Sequence, residues 1–453
     1  MSALFSTAAR VLTMCVSLVC GVLSARLVIG EAGVGPYALL SLLVALPSLI
    51  SFSDLGAGAV VVNAAATSPD IRSDARLTGL VTTVVRVTLL FAGTVALVDL
   101  ALFVTGGWHL VLGSAAAVPG AETAAFVCVL IFCVSISMGV WQRILLGLGR
   151  NPIVILLQGM ISPLSLLIVW LLLDAGTSSV RAFLALGTFL ATLVVALCGV
   201  VVADRFSNPL LRTAARRVLW RRRYPGARVM DVGWPMFAQL LAAPLSLALP
   251  RYILAQTASH QELAQYALAG QVFFAVQALI GAAGVTLWPA FARARAAGGV
   301  TRGGPFLLSG LFAVAAAAVT AIMVVIGPWF FSIVSKDEVT VGIPIVLAFG
   351  AMTVVQAALY PLGMFIMDKP GIRFQVAPAL LAAASTVVLS VFAAPAWGVV
   401  GPLLSNAVSV LIIQVIPFAV YIRRNRVRLY GPARPVTIEA TQEQARGDAP
   451  GSD

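Results

Sequence analysis

Charged residues interrupt long apolar runs of this 453-residue chain at Arg26, Asp54, Arg86, Asp99 and Arg251. A charge inside a membrane-spanning segment costs on the order of 2.5–3.5 kcal/mol on insertion scales, so it faces a cavity or a partner. Arg26 and Arg251 each lie near the end of the first apolar run of their half of the chain. A guanidinium offers planar, bidentate donors to phosphate oxygens, so a pair at matched depth is a candidate phosphate clamp. The competing reading is that both snorkel to a membrane interface. Arg86 lies about 15 Å along a helix from Arg76, too deep for a plain interfacial residue, and is a candidate ligand contact or a partner for Asp54. Asp54 reads equally as a solvated or helix-capping carboxylate. Asp99 is a candidate proton or sodium carrier, or an interfacial carboxylate. The second half carries the amides Gln239, Gln271, Gln277, Gln356, Asn406 and Gln414. Amides bond hydroxyl-rich ligands or tie helices together, and Gln271 and Gln277 are the two expected to touch a ligand.

Other chemistry is thinly provided. His109 and His260 are the only histidines, neither near a carboxylate in sequence, and Cys15, Cys20, Cys128, Cys133 and Cys198 all sit inside apolar runs. This argues against a hydrolytic centre, a metal site or a disulfide framework, and no cofactor is expected.

The elements that must position these residues are membrane helices. Hydrophobic residues make up 60% of the chain and charged ones 10%, whereas a soluble domain carries about a quarter of its residues as charges. A span needs about 20 apolar residues, which predicts about twelve, at roughly 11–29, 36–58, 79–102, 123–141, 153–173, 181–203, 233–255, 265–289, 306–330, 341–366, 374–394 and 397–422. The expectation is an all-α polytopic membrane protein. Its first span, which superficially resembles a signal peptide, is read as uncleaved.

Charge orients the spans. With the N-terminus in the cytoplasm, 24 of the 29 Lys and Arg fall on the cytoplasmic side, which places both termini there. That bias accounts for the net charge of +12 without nucleic acid as a partner. Four units are expected: six spans in 1–204, a basic cytoplasmic linker in 205–231, six spans in 232–422, and a tail in 423–453 that starts basic and ends disordered. The linker reads as a tether held to anionic lipid by Arg216, Arg217, Arg221, Arg222 and Arg223. Pro235, Pro244 and Pro250 make the seventh span the best hinge candidate. Trp108, Trp329 and Trp397 are expected to anchor the outer interface, and Trp141, Trp220 and Trp288 the inner one.

The halves share a trace of duplication. Arg26 is followed by Tyr37-Ala38-Leu39 and Arg251 by Tyr266-Ala267-Leu268, each triplet opening the next span. Together with Gly35-Pro36-Tyr37, Asp54-Leu55-Gly56 and the stretch Trp288 to Ala294, this resembles the bacterial polysaccharide flippases of the multidrug/oligosaccharidyl-lipid/polysaccharide exporter superfamily. The resemblance implies two six-helix bundles in a V that alternate access across the bacterial cytoplasmic membrane. It also implies a polyprenyl-pyrophosphate-linked oligosaccharide as substrate, moved from the inner to the outer leaflet for surface polysaccharide assembly. Membrane lipids, a polysaccharide polymerase and other glycan-assembly proteins are the partners it suggests. Peptidoglycan-precursor flippases of the superfamily usually carry two further spans, which favours the oligosaccharide branch.

Two alternatives compete. A multidrug or small-solute antiporter of the same superfamily would favour an acidic cavity, and the arginine pair points away from it. A membrane-embedded glycan-assembly enzyme needs a long outer catalytic loop. The longest here, about 103–122, offers only His109 and Glu122, so no enzymatic activity is expected.

Overall fold

The computed structural model describes residues 2–50, 57–68, 71, 74–175, 178–218, 220, 242, 245–296, 304–425 and 429. Every regular element among them is helical. The first half contributes α1 (Ser2–Ala32), α2 (Val34–Leu49), α3 (Ala57–Thr67), α4 (Ala75–Val104), α5 (Gly107–Leu112), α6 (Ala121–Met138), α7 (Val140–Gly147), α8 (Asn151–Gly159), α9 (Ile161–Asp174), α10 (Leu186–Ser207) and α11 (Leu210–Arg217). The second contributes α12 (Leu249–Thr257), α13 (His260–Ala296), α14 (Gly304–Ser335), α15 (Ile343–Phe365), α16 (Lys369–Trp397), α17 (Val400–Val410) and α18 (Ile416–Arg424).

Among the described residues, 10 helical stretches are long and apolar enough to cross a membrane, and Val34–Leu49 is a shorter apolar helix. The ten coincide with ten of the expected spans. The second expected span appears as α2, with 51–56 outside the described residues, and only the end of the seventh is described, as α12. Pro250 stands in the first turn of α12, where a missing N–H costs nothing; Pro235 and Pro244 lie outside the described residues. So does most of the tail. Leu90, Leu307, Val325 and Phe392 are 71–79% exposed, a display of apolar side chains that only hydrocarbon accommodates.

Helix ends gather by charge. Arg150, in the turn between α7 and α8, stacks 4.8 Å from the Phe206 ring at the end of α10. Arg423, ending α18, lies 5.5 Å from the ring of Phe306 at the start of α14. We call this side the basic face and the other the opposite face. Asp74 opens α4 by accepting from the backbone N–H groups of Leu77 and Arg76 and from the Ser68 hydroxyl. These donors, the Leu77 N–H foremost, hold its carboxyl below the usual carboxylate range, and such a cap is worth about 1 kcal/mol.

The buried clusters show how the halves are joined. One unites Leu39, Leu42 and Trp108 of the first half with Tyr252, Leu254, Tyr266, Phe331 and Phe349 of the second, near the opposite face. The others stay within one half: around Leu77, Val81 and Ile144, around Trp141 and Val195, and around Phe291, Phe365 and Phe418. Among the described residues, therefore, the apolar packing joins the halves at one end.

The linker expectation gains detail in its described part, Arg221, Arg222 and Arg223 lying outside the described residues, and the tryptophan expectation needs correction. The start of the linker is a packed helix: α11 buries Leu210 and Ala214 against Leu77, Val81 and Ile144, and Arg212 pairs with Asp204 at 2.8 Å. Arg86 explains its position, donating from Nε to the Val218 carbonyl at 2.9 Å and from Nη2 to the Arg217 carbonyl at 2.6 Å. A cation thus caps carbonyls at a helix C-terminus, the Arg217 carbonyl also accepting from the Trp220 N–H at 3.2 Å. Trp108 and Trp141 are core residues at 3% and 1% exposure, not interfacial anchors, whereas Trp220, Trp329 and Trp397 are 63–66% exposed.

Removing Arg86 is expected to loosen α11. Hydrogen bonds from a charged donor contribute about 1.5–3 kcal/mol each, so Arg86→Leu should lower thermal stability in detergent, with Arg86→Lys intermediate. An unshifted melting temperature would show that α11 holds without it.

Candidate functional site

Where the halves are not packed together, α1, α8 and α13 enclose a cavity of about 410 Å³. Arg10, Thr13 and Ser17 line it from α1, Gln158 from α8, and Gln271 from α13. Arg10 is the only charge among the lining residues and lies toward the basic face. Ser17 accepts from Ser162 of α9 at 3.0 Å, tying the first-half wall together. Gln271 crosses between halves: its Nε2 donates to the Tyr37 hydroxyl at 3.1 Å. Its Oε1 is buried with no partner among the described residues. A buried amide oxygen without a donor costs free energy, so a small shift of this side chain that brought the oxygen into the cavity would be favoured by a donor there.

Toward the opposite face the cavity ends in a seal made by second-half side chains on first-half backbone. Arg251 Nη1 donates to the Ser41 carbonyl at 2.9 Å and the Tyr252 hydroxyl to the Leu42 carbonyl at 2.7 Å. Gln256 Nε2 donates to the Leu110 carbonyl at 2.7 Å. His260 Nε2 lies 2.6 Å from the Ser114 carbonyl, and because a carbonyl only accepts, that nitrogen carries the proton. The Arg251 guanidinium also lies 5.0 Å from the Tyr266 ring centroid and 5.8 Å from that of Phe274, a cation–π arrangement. Gly113 has a φ of +54°, and a Cβ there would collide with the Ala255 carbonyl. Only glycine admits both the backbone conformation and the contact. Neutral hydrogen bonds contribute about 0.5–1.5 kcal/mol net and charged ones about 1.5–3. The seal is thus a few kcal/mol strong, within reach of a ligand that prefers the opposite arrangement.

The residues singled out from sequence fall in different places. Gln271 lines the cavity. Gln277 donates to Thr353 at 3.2 Å within the second half. Gln356 donates to Asn406, which donates to Ser246, a chain that ties helices; Gln414 lines a separate second-half cavity, and Gln239 lies outside the described residues. Arg251 belongs to the seal. Arg26 is exposed and lines a groove with Leu23, Leu27, Trp170 and Lys336, so the two arginines have separate surroundings in this conformation. Arg86 is engaged with α11, and Asp54 lies outside the described residues.

Asp99 is 2% exposed. Its Oδ1 accepts from Trp108 Nε1 at 3.0 Å, and its Oδ2 is buried with no partner among the described residues. The pair pins α5 to α4; α5 itself carries Leu110 and leads into the turn with Gly113 and Ser114. Sequence reasoning missed that this segment, short of catalytic residues, is half of the seal. It also missed Arg10 and Gln158, although Gln158-Gly159 inside a span is a visible polar break. No three His, Cys, Asp or Glu side chains gather into a metal site among the described residues.

Ten membrane-length apolar helices among the described residues and a cavity between the two halves define a multi-pass membrane protein. Residues 2–295 match the polysaccharide biosynthesis protein family, so the chain belongs to that family. Among solved structures it resembles the lipid II flippase MurJ in an inward closed conformation, with a TM-score of 0.66 at 11% identity over 99% of this chain and 94% of that one. It also resembles an inward-facing multidrug resistance MATE family transporter of the MOP superfamily, with a TM-score of 0.55 at 15% identity over 95% of this chain and 100% of that one. A third is a MOP superfamily transporter from Pyrococcus furiosus, with a TM-score of 0.54 at 15% identity over 94% of this chain and 95% of that one. At these identities the likeness is one of fold. No curated protein sequence matches the chain.

The seal can be probed from the opposite face. With the five native cysteines replaced and a cysteine placed at Ser41, which is 8% exposed, a membrane-impermeant thiol reagent should label slowly. Gly113→Val should accelerate labelling severalfold by forcing the halves apart. Equal rates in both backgrounds would remove the seal from the account.

Proposed function

We propose that this chain is a flippase that carries a polyprenyl-pyrophosphate-linked oligosaccharide from the inner to the outer leaflet of a bacterial cytoplasmic membrane, for surface polysaccharide assembly. The reading rests on one observation above others: a cavity lined by amides, hydroxyls and a single arginine, closed toward one face by donors on backbone. Membership of a polysaccharide biosynthesis family and a fold shared with flippases and exporters support it. The basic face is cytoplasmic by the positive-inside rule, with both termini there. The seal then closes the outer side.

In this reading 1–204 and 232–422 are the two moving bodies. The prenyl tail stays in lipid while the glycan crosses between α1, α8 and α13. Gln271 and Gln158 contact sugar hydroxyls, and Arg10 meets the anionic substrate at the cytoplasmic mouth. Arg251 serves the closed outer gate and is released to bind when that gate opens. Asp99 is the carboxylate to test for ion coupling, since its second oxygen is buried without a partner. The cycle moves a substrate without altering its bonds, so the protein is a transporter rather than an enzyme. A multidrug antiporter gains no support from the cavity, whose lining residues include no carboxylate for a cationic drug.

Deleting the gene in a host without redundant flippases should cause one lipid-linked repeat unit to accumulate and the matching surface glycan to disappear. The intact gene should restore both, and Gln271→Ala should restore them poorly while expressing normally. An unchanged lipid profile in the deletion would reject the flippase reading.

A further inference from the structure

A second surface feature lies on the far side of α1 from the central cavity. Leu23, Arg26 and Leu27 form its floor, Pro163, Leu166, Leu167 and Trp170 of α9 form one wall, and Lys336 closes one end. The groove has a volume of about 510 Å³. Trp170, Leu167 and Leu23 are 47–50% exposed, so its apolar walls stand open to the surrounding hydrocarbon. Pro163 to Trp170 spans roughly 10 Å of helix, from mid-membrane toward the opposite face. The charges are at that end only.

Lys336 is held there by an unusual turn. Lys336 and Asp337 have φ values of +52° and +65°, a region that non-glycine residues seldom adopt. The Asp337 N–H donates to the Ser332 carbonyl at 3.0 Å, the Ser332 hydroxyl bonds the Asp337 carboxylate, and the Glu338 N–H donates to the Ser335 carbonyl at 3.1 Å. The turn sends Lys336 across Gly30 of α1, where a Cβ would collide with its ammonium group. Its nearest carboxylate is Glu31, at 3.4 Å, with side chains 45% and 57% exposed. Such an open pair is weak and readily exchanged for a phosphate, whose oxygens can accept from both Lys336 and Arg26.

We infer that this groove is an outer-leaflet binding site for the phosphate end and first isoprene units of the polyprenyl carrier. The inference rests on the flippase reading and deepens it. Free phosphate would use the cations and leave the apolar floor uncovered, and a neutral hydrocarbon would do the reverse; a lipid phosphate uses both. Position favours the carrier over bulk phospholipid. The groove takes one cation from each half, Arg26 from the first and Lys336 from the second, on the lipid-facing side of α1, the helix whose other side lines the path between the halves, so a carrier whose glycan crosses there has its lipid end beside the groove.

The test uses the full-length protein in phosphatidylcholine nanodiscs with undecaprenyl phosphate as the probe. Binding should be saturable, weakened about tenfold by Arg26→Gln and by Lys336→Gln, and unaffected by Arg181→Gln, a change at an exposed arginine outside the groove. Phosphatidylglycerol at the same mole fraction should not displace the probe. Equal affinity in all variants, or displacement by phosphatidylglycerol, would overturn the inference. A measurement on the unaltered protein guards against misfolded variants: a polyprenyl phosphate with a diazirine near its phosphate should cross-link within 161–174 or 23–27. Cross-links confined to the central cavity would also overturn it. These readouts do not involve transport, so a failed groove is distinguishable from an unchanged lipid profile on gene deletion.

Discussion

The architecture turns on a constraint at the seam: among the described residues, side-chain donors of the second half meet backbone carbonyls of the first near one face. Arg251, Tyr252, Gln256 and His260 reach Ser41, Leu42, Leu110 and Ser114. Each donor and acceptor would be costly to bury alone, and each becomes tolerable when paired. The same groups accept water equally well when exposed. A seam built this way can close tightly without becoming permanent, which an apolar interface of similar area would not permit so easily. Tyr37 and Tyr266, the paired residues of the internal repeat, sit on that seam, one bonded to Gln271 and the other beneath Arg251.

Away from the seam, each half solves its polar burdens internally. Arg86 caps α11, Asp99 holds Trp108, and Gln356, Asn406 and Ser246 form a chain within the second half. This division leaves the central cavity with few fixed partners. Gln271 spends one end of its amide on Tyr37 and keeps the other unpartnered, and Arg10 sits at the mouth rather than deep inside. A cavity with sparse, short-reaching polar groups suits a bulky ligand with many hydroxyls better than a small ion that needs a dense cage.

Much of this was legible in the sequence. Span length and apolar character alone located ten of the helices, because lipid forces the backbone to satisfy itself locally. The Arg-Tyr-Ala-Leu repeat drew attention to Arg251 and Tyr266, which do lie at the contact between halves. What a linear reading could not decide was direction. Arg26 and Arg251 each lie near the end of the first span of their half, yet one faces a lateral groove and the other the seam, and helix rotation is set by packing that no span count reveals. Arg86 lies too deep for an interface because it caps α11, a short amphipathic helix that packs its apolar face on the first half, a contact that no count of spans predicts. Trp108 looked like an anchor because its partner, Asp99, lies on another helix. The segment 103–122 seemed empty because its contribution is made through carbonyls, which every residue type carries.

That last feature makes the two sides of the seam unequal in how they tolerate change. Replacing Ser41, Leu42, Leu110 or Ser114 alters a side chain and leaves the acceptor where it was. Replacing Arg251, Tyr252, Gln256 or His260 removes the donor itself. Drift in the first half is therefore buffered so long as backbone shape survives, with Gly113 the exception, whereas a single change in the second half retunes how firmly the opposite face is closed. The strength of the seal is written almost entirely on one of its two sides.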